Sequence, residues 1–210
     1  MHKLTMTIDP ELRIAELLTA RLCHELVGPV TAVANGAELL SEDGLEVDRE
    51  ALALISDSAR RIASRLQLYR FSYGFGATHA AGPQPGELAA RYFETTRVVC
   101  RYGETVRALP LADQKLACNL LVFGAETLIH GGHVSVDAAT RGFRVEAAGE
   151  GVALPREQWQ ALRLATPVAD LTARTVHGYF TGRLARAEGW RLVDELMPGR
   201  LCIEAIGAAR

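Results

Sequence analysis

The sequence predicts two parts: an α-helical hairpin that pairs with a second copy to form a dimeric four-helix bundle, and after it an α+β two-layer sandwich. Three observations predict this. Apolar or small residues recur in steps of three and four at Leu22, Leu26, Val30, Val33, Ala37 and Leu40, and again at Leu52, Ile55, Ala59, Ile62, Leu66 and Tyr69, each set drawing one seam along a helix. A stretch between Phe71 and Gly86, containing Gly74, Gly76, Gly82, Pro83 and Pro85, interrupts the helical pattern. Beyond it, short strand-like segments alternate with helical ones, most of the strands linked as hairpins rather than doubly wound.

The first helix starts where Asp9 can cap it, Pro10 can take the first helical position and Glu11 meets the positive end of the dipole. Ser41, Glu42, Asp43 and Gly44 end it, and a second helix follows a cap at Asp48. A helix of about thirty residues spans about 45 Å. Two such helices give each seam one partner and build a poor core, so the expectation is a homodimer in which shallow-angle packing buries both seams. The hairpin domain is drawn at 1–73, a linker at 74–86 and the second domain at 87–210. Within the latter, helices are expected at 87–96, 111–129, 155–164 and 172–187. Strands are expected at 98–102, 134–138, 143–147, 190–196 and 201–206, with Gly142 in a turn.

Composition narrows the function classes. The 210 residues are 49% hydrophobic and 23% charged, which suits a folded chain. Lys and Arg number 23 against 25 Asp and Glu, leaving a formal charge of −2 and no basic field for a nucleic acid backbone. No uncharged stretch is long and apolar enough to cross a bilayer, and the opening residues lack a signal-like apolar run, so the expected setting is cytoplasmic, without membrane or nucleic acid partners. Cys23, Cys100, Cys118 and Cys202 form no CxxC pair and are expected as reduced, buried thiols.

His24 lies two residues from each of the seam positions Leu22 and Leu26, which places it on the far side of the helix and in solvent. A solvated imidazole near neutral pH has one ring nitrogen with a free lone pair, a nucleophile. Glu25 follows, where a carboxylate could take the proton of the other nitrogen. Pro29 has no amide hydrogen, so the Glu25 carbonyl loses its helical donor and the helix should bend or loosen beside the histidine.

The run His24-Glu25-Leu26-Val27-Gly28-Pro29-Val30 resembles the H-E-L-x-x-P-L phosphoacceptor box of sensor histidine kinases. Extended through Asn35-Gly36-Ala37-Glu38-Leu39-Leu40, it is closer still to ChpT-type histidine phosphotransferases of alphaproteobacterial cell-cycle relays. The resemblance covers the whole chain and implies that the second domain is a degenerate histidine-kinase ATP-binding domain. Where kinases carry N-L-L-x-N-A, whose second Asn helps hold magnesium, Asn119-Leu120-Leu121-Val122-Phe123-Gly124 places Phe123, and a phenyl ring cannot ligate a hard cation. The D-x-G-x-G box corresponds to Ala147-Ala148-Gly149-Glu150-Gly151, where Ala147 offers no acceptor to adenine. The G-x-G-L-G box is missing, with only Gly178 and Gly182 in a helical run.

Three losses imply that ATP is not the donor. The resemblance then implies a histidine phosphotransferase that takes a phosphoryl group on His24 from the receiver domain of a CckA-like hybrid kinase and passes it to response regulators resembling CtrA and CpdR. It needs no cofactor of its own, because the receiver supplies Mg2+. The receiver-binding surface is expected around His24 at Arg21, Val27, Gly28 and Thr31, with Leu68 of the second helix alongside. Phosphatase-competent kinases carry Thr, Asn or Gln four residues after the histidine; Gly28 stands there, which argues against that route. The alternatives are a non-catalytic dimeric adaptor for receivers and an ATP-dependent histidine kinase.

Other features have plainer readings. His130 and His133 flank two glycines and suit a helix-ending turn better than a metal site. Gly149-Glu150-Gly151 alone reads as a turn. Glu42, Asp43, Glu46, Asp48 and Glu50 read as a solvated hairpin tip. Arg60, Arg61 and Arg65 read as a solvent face that could also guide an acidic receiver.

Overall fold

The computed structural model describes residues 9–42, 49–74 and 83–207. Helix α1 (Pro10–Glu42) begins as expected: the Asp9 carboxylate accepts from the amides of Glu11 at 2.9 Å and Leu12 at 3.3 Å. It runs through Pro29 without interruption. Helix α2 (Arg49–Tyr73) lies against it, with Ala51, Ser58 and Ser64 among its buried side chains. At Gly36 an added Cβ would lie 2.7 Å from the Ile55 side chain, which marks a close contact of the two helices. The expected cap at Asp48 and most of the acidic tip lie outside the described residues.

The second domain follows with α3 (Pro85–Glu94), β1 (Val98–Tyr102), a short α4 (Glu104–Arg107), α5 (Leu111–Ala125), β2 (Gly132–Ala139), β3 (Gly142–Ala148), α6 (Arg156–Leu162), a 3-10 turn (Val168–Asp170), α7 (Val176–Ala187), β4 (Trp190–Met197) and β5 (Arg200–Gly207). All five expected strands are present, β1 with the expected bounds. The helices differ more. α3 starts two residues early because Pro85 suits a first helical position. α5 stops at Ala125, its last carbonyls taken by turn amides and by the Thr127 hydroxyl, which donates to the Gly124 carbonyl at 2.7 Å.

The strands form one sheet in the order β1-β2-β3-β5-β4, with β1 and β2 parallel and the other pairs antiparallel. Its inner face alternates as a half-buried sheet must: Val134 and Val136, Phe143, Val145 and Ala147, Leu201, Ile203 and Ala205 all turn to the core. The opposite face carries the cross-strand ion pairs Arg101–Asp137, Arg144–Glu204 and Arg200–Glu146. α3, α5 and α7 cover the inner face. The architecture is therefore the expected one, a helical hairpin followed by a mixed two-layer sandwich.

The two glycines of α7 serve packing. A Cβ at Gly178 would lie 2.9 Å from the Phe123 ring, and one at Gly182 would lie 2.1 Å from the Leu162 carbonyl, so both are small where α7 closes against α5 and α6.

The hairpin is not a free arm. The last turns of α2 enter the main core, where Leu68 is fully buried and Tyr69 nearly so among Leu88, Tyr92 and Phe93. The first turns of α1 extend past the end of α2 and dock on the second domain: Ile14 and Leu17 pack with Ala161, Leu171 and Val176, and Arg183 donates to Glu11 at 2.6 Å. The linker thus joins parts already in contact on both sides. Among the described residues no helix is long and apolar enough to cross a membrane. Cys118 is buried and Cys100 and Cys202 are half-buried, but Cys23 is exposed, contrary to the expectation of four buried thiols.

Candidate functional site

His24 is exposed on α1, and its ring has no hydrogen-bond or charge partner among the described residues. Val27, Gly28 and Thr31 lie exposed beside it, Val27 at 59%, as the helical spacing predicts. An added Cβ at Gly28 would meet nothing within 4 Å, so the surface next to the histidine is open.

Arg21 was expected on that surface and is turned inward instead. Its Nη2 donates to Glu126 at the end of α5 and forms an ion pair with Glu25 Oε1 at 2.9 Å, leaving the Arg21 side chain only 10% exposed. The reason is the docked second domain: α5 stands on that side of α1 and presents a carboxylate. Burial opposes the Arg21 charge, but Glu126, Tyr73 and Glu25 outweigh it and hold its pKa above the usual guanidinium value. Leu68 is also corrected. It lies off the hairpin seam as expected, but that face of α2 meets the sandwich rather than solvent, so it offers nothing to a receiver.

Glu25 is likewise turned from its expected task. Its carboxylate takes Arg21 on one oxygen and the Tyr69 hydroxyl on the other, so it ties α1 to α2 rather than bonding to His24. Its carbonyl, orphaned by Pro29, is recaptured by α2: Arg65 Nη1 donates to it at 2.7 Å. Arg65 therefore leaves the solvent face to which the sequence assigned it, whereas Arg60 and Arg61 remain exposed.

Beneath these residues a polar layer joins hairpin to sandwich. The Asn119 amide donates to the Ser72 carbonyl at 3.2 Å and Lys115 donates to the Gly74 carbonyl at 2.7 Å, so α5 caps the C-terminal carbonyls of α2. His177 of α7 is 1% exposed; its Nε2 lies 3.1 Å from the Asn119 carbonyl and its Nδ1 2.8 Å from the Tyr73 hydroxyl. A carbonyl only accepts, so Nε2 carries the proton and the tyrosine donates to Nδ1. Burial, reinforced by nearby Arg21, pushes the His177 pKa well down and keeps this tautomer neutral. Tyr69 stacks on Tyr73 with ring centroids 5.5 Å apart, and burial raises both phenols.

Glu126, Tyr73 and His177 escaped sequence reasoning, which read Tyr69 only as a seam position and Asn119 only as part of the kinase-like box. The one available signal was the carbonyl orphaned by Pro29, which demanded a donor without naming it. Phe123 and Ala147, the expected signs of a degenerate nucleotide site, are each 1% exposed in the core. Among the described residues no group of three His, Cys, Asp or Glu side chains is placed to hold a metal ion, His130 and His133 included.

Glu126 should leave a mark on stability. Burial raises its pKa from 4.5 to about 7 despite Arg21, with Glu25 adding to the rise. A folded-state pKa above the unfolded one means that folding binds the proton, so the contribution is complete below about 4.5 and is lost as pH rises through about 7. At about 1.4 kcal/mol per unit this group alone lowers stability by roughly 3 kcal/mol across that window. Urea unfolding from about pH 5 to 8 should show that slope in the wild type and lack it in Glu126→Gln; parallel curves would refute it.

Residues 85–196 match the family model for the histidine phosphotransferase C-terminal domain. The chain is 32% identical over 191 residues to the protein phosphotransferase ChpT of Brucella abortus (strain 2308), covering 86% of this chain and 89% of that protein. A solved structure of a bacterial phosphotransferase, 29% identical, aligns with a TM-score of 0.74 over 92% of this chain and 96% of that one. These findings place the molecule in the class of histidine phosphotransferases. Within that class, the chain belongs to the ChpT-type family, a family of phosphorelay proteins.

Proposed function

We propose that this chain carries phosphoryl groups between receiver domains through His24, without using ATP. The observation that carries the proposal is an unpartnered, solvent-facing imidazole on a helix that is braced from behind. The donor is the aspartyl phosphate on the receiver of a hybrid kinase of the CckA kind. The lone pair of a ring nitrogen attacks phosphorus, a P–N bond forms as the P–O bond to the aspartyl carboxylate breaks, and the bonding pair leaves with that carboxylate. The other ring nitrogen keeps its proton. The reverse step delivers the group to the aspartate of a response regulator of the CtrA or CpdR kind. The receiver contributes the Mg2+ that steadies the equatorial oxygens, so the protein brings no cofactor.

Val27, Gly28 and Thr31 form the docking surface, which the open space at Gly28 supports. Phe123 and the tight closure of α7 support independence from ATP, since an aromatic core side chain stands where a metal-binding amide would be needed. Half-exposed apolar side chains along the hairpin, Val30, Leu52 and Leu66 among them, support a homodimer in a four-helix bundle. The relay operates in the cytoplasm, where hybrid-kinase receivers are presented.

Purified protein incubated with a 32P-labelled phospho-receiver and Mg2+ is expected to take up label within minutes, and to take up none from Mg2+ and labelled ATP alone. Label from ATP would point to a kinase instead. A stable complex without label would point to an adaptor.

A further inference from the structure

The residue after the nucleophile is held at both ends by one face of α2. Arg65 takes the Glu25 carbonyl at 2.7 Å, and Tyr69, one turn later, takes the Glu25 carboxylate. His24 itself touches no partner among the described residues, so the direction of its ring follows from the backbone at 24 and 25. That backbone lacks its own restraint, because Pro29 supplies no amide to the carbonyl that an ordinary helix would secure. Arg65 is half-buried, its Nε has no partner among the described residues, and its charge reaches Tyr92 in the core, so it is not poised on the surface.

We propose that Arg65 is a positioning residue for phosphotransfer: it replaces the amide donor that Pro29 removes and thereby aims His24 at the incoming phosphorus. The proposal rests on phosphotransfer through His24. It explains why a proline is tolerated inside α1 beside the working residue: the bond lost within the helix is re-formed across the hairpin, which ties the histidine's backbone to α2. It also separates Arg65 from Arg60 and Arg61, which stay exposed on α2, Arg60 paired with Asp57 of the preceding turn.

A double-mutant cycle tests it. Arg65→Met keeps the apolar stem and removes the donor, while Pro29→Ala restores an amide to the same carbonyl. Single-turnover label uptake from a phospho-receiver is followed at several receiver concentrations. Arg65→Met should lower the limiting rate on the order of tenfold with the half-saturating receiver concentration unchanged, since misaimed groups lose rate without losing affinity. Adding Pro29→Ala should recover the rate to within roughly threefold of wild type, and Arg65→Lys, which keeps a donor, should stand between wild type and Arg65→Met.

An unchanged rate in Arg65→Met would overturn the proposal. So would a defect seen only as weaker receiver binding, which would mark steering by charge, or a rate defect that Pro29→Ala does not relieve. Should Arg65→Met fold too poorly to assay, the same rescue is required of Arg65→Lys. A wild type that takes no label would defeat the phosphotransfer reading itself; an active wild type without rescue defeats this proposal alone.

Discussion

His24→Gln is expected to accept no measurable label from a phospho-receiver, a loss on the order of a thousandfold or more, while melting with the wild type. Glutamine keeps polarity and approximate size but has no basic lone pair to form a P–N bond. Because the imidazole is exposed and unpartnered among the described residues, its removal breaks no contact, and stability should stay within about 0.5 kcal/mol. Receiver binding, carried by the neighbouring surface, should persist. Label on His24→Gln would place the phosphoryl group elsewhere. A fold defect in the variant would show that the ring is structural after all.

Arg21→Ala is expected to produce the largest loss of stability of any single change near the site, about 3–5 kcal/mol at neutral pH. One guanidinium serves two carboxylates, Glu25 from its own helix and Glu126 from α5, in a layer where the side chains of both acids are only about a fifth exposed. Without it two like charges share a dry junction and must repel, draw in water or take up a proton. Glu126, its pKa already raised, is the one that would protonate, so the loss should be smaller in mild acid than at neutral pH. Urea unfolding of wild type and variant at equal protomer concentration measures this, equal concentration being needed because the stability of the proposed dimer depends on it. A loss below about 1 kcal/mol would mean that the Arg21 pairs are no stronger than surface ones.

The two variants divide the site by depth. On the proposed function His24 acts at the surface and is structurally expendable; Arg21 lies beneath it and joins the helix that carries His24 to the domain behind it. On the same proposal Arg65 works between these levels, on the backbone alone.

What the sequence by itself determined was everything with a local or periodic cause. Asp9 and Pro10 mark the first helix because a cap and a first-turn proline act on their own neighbours. His24, Val27, Gly28 and Thr31 face solvent together because helical spacing puts them on one side of α1. The strands are legible because alternating apolar residues need only one covered face. Even the vacancy at the Glu25 carbonyl follows from Pro29 alone.

What only the tertiary structure decided was which groups answer those local demands. The donor to that carbonyl comes from 40 residues away, and the Glu126 partner of Arg21 from 105. Helical spacing says that Leu68 leaves the hairpin seam and that Arg21 neighbours His24, but not that a sandwich domain stands against both. That outcome depends on how the end of α2 docks on α3 and α5, a sum of many small contacts between distant segments, each without a periodic trace in the chain.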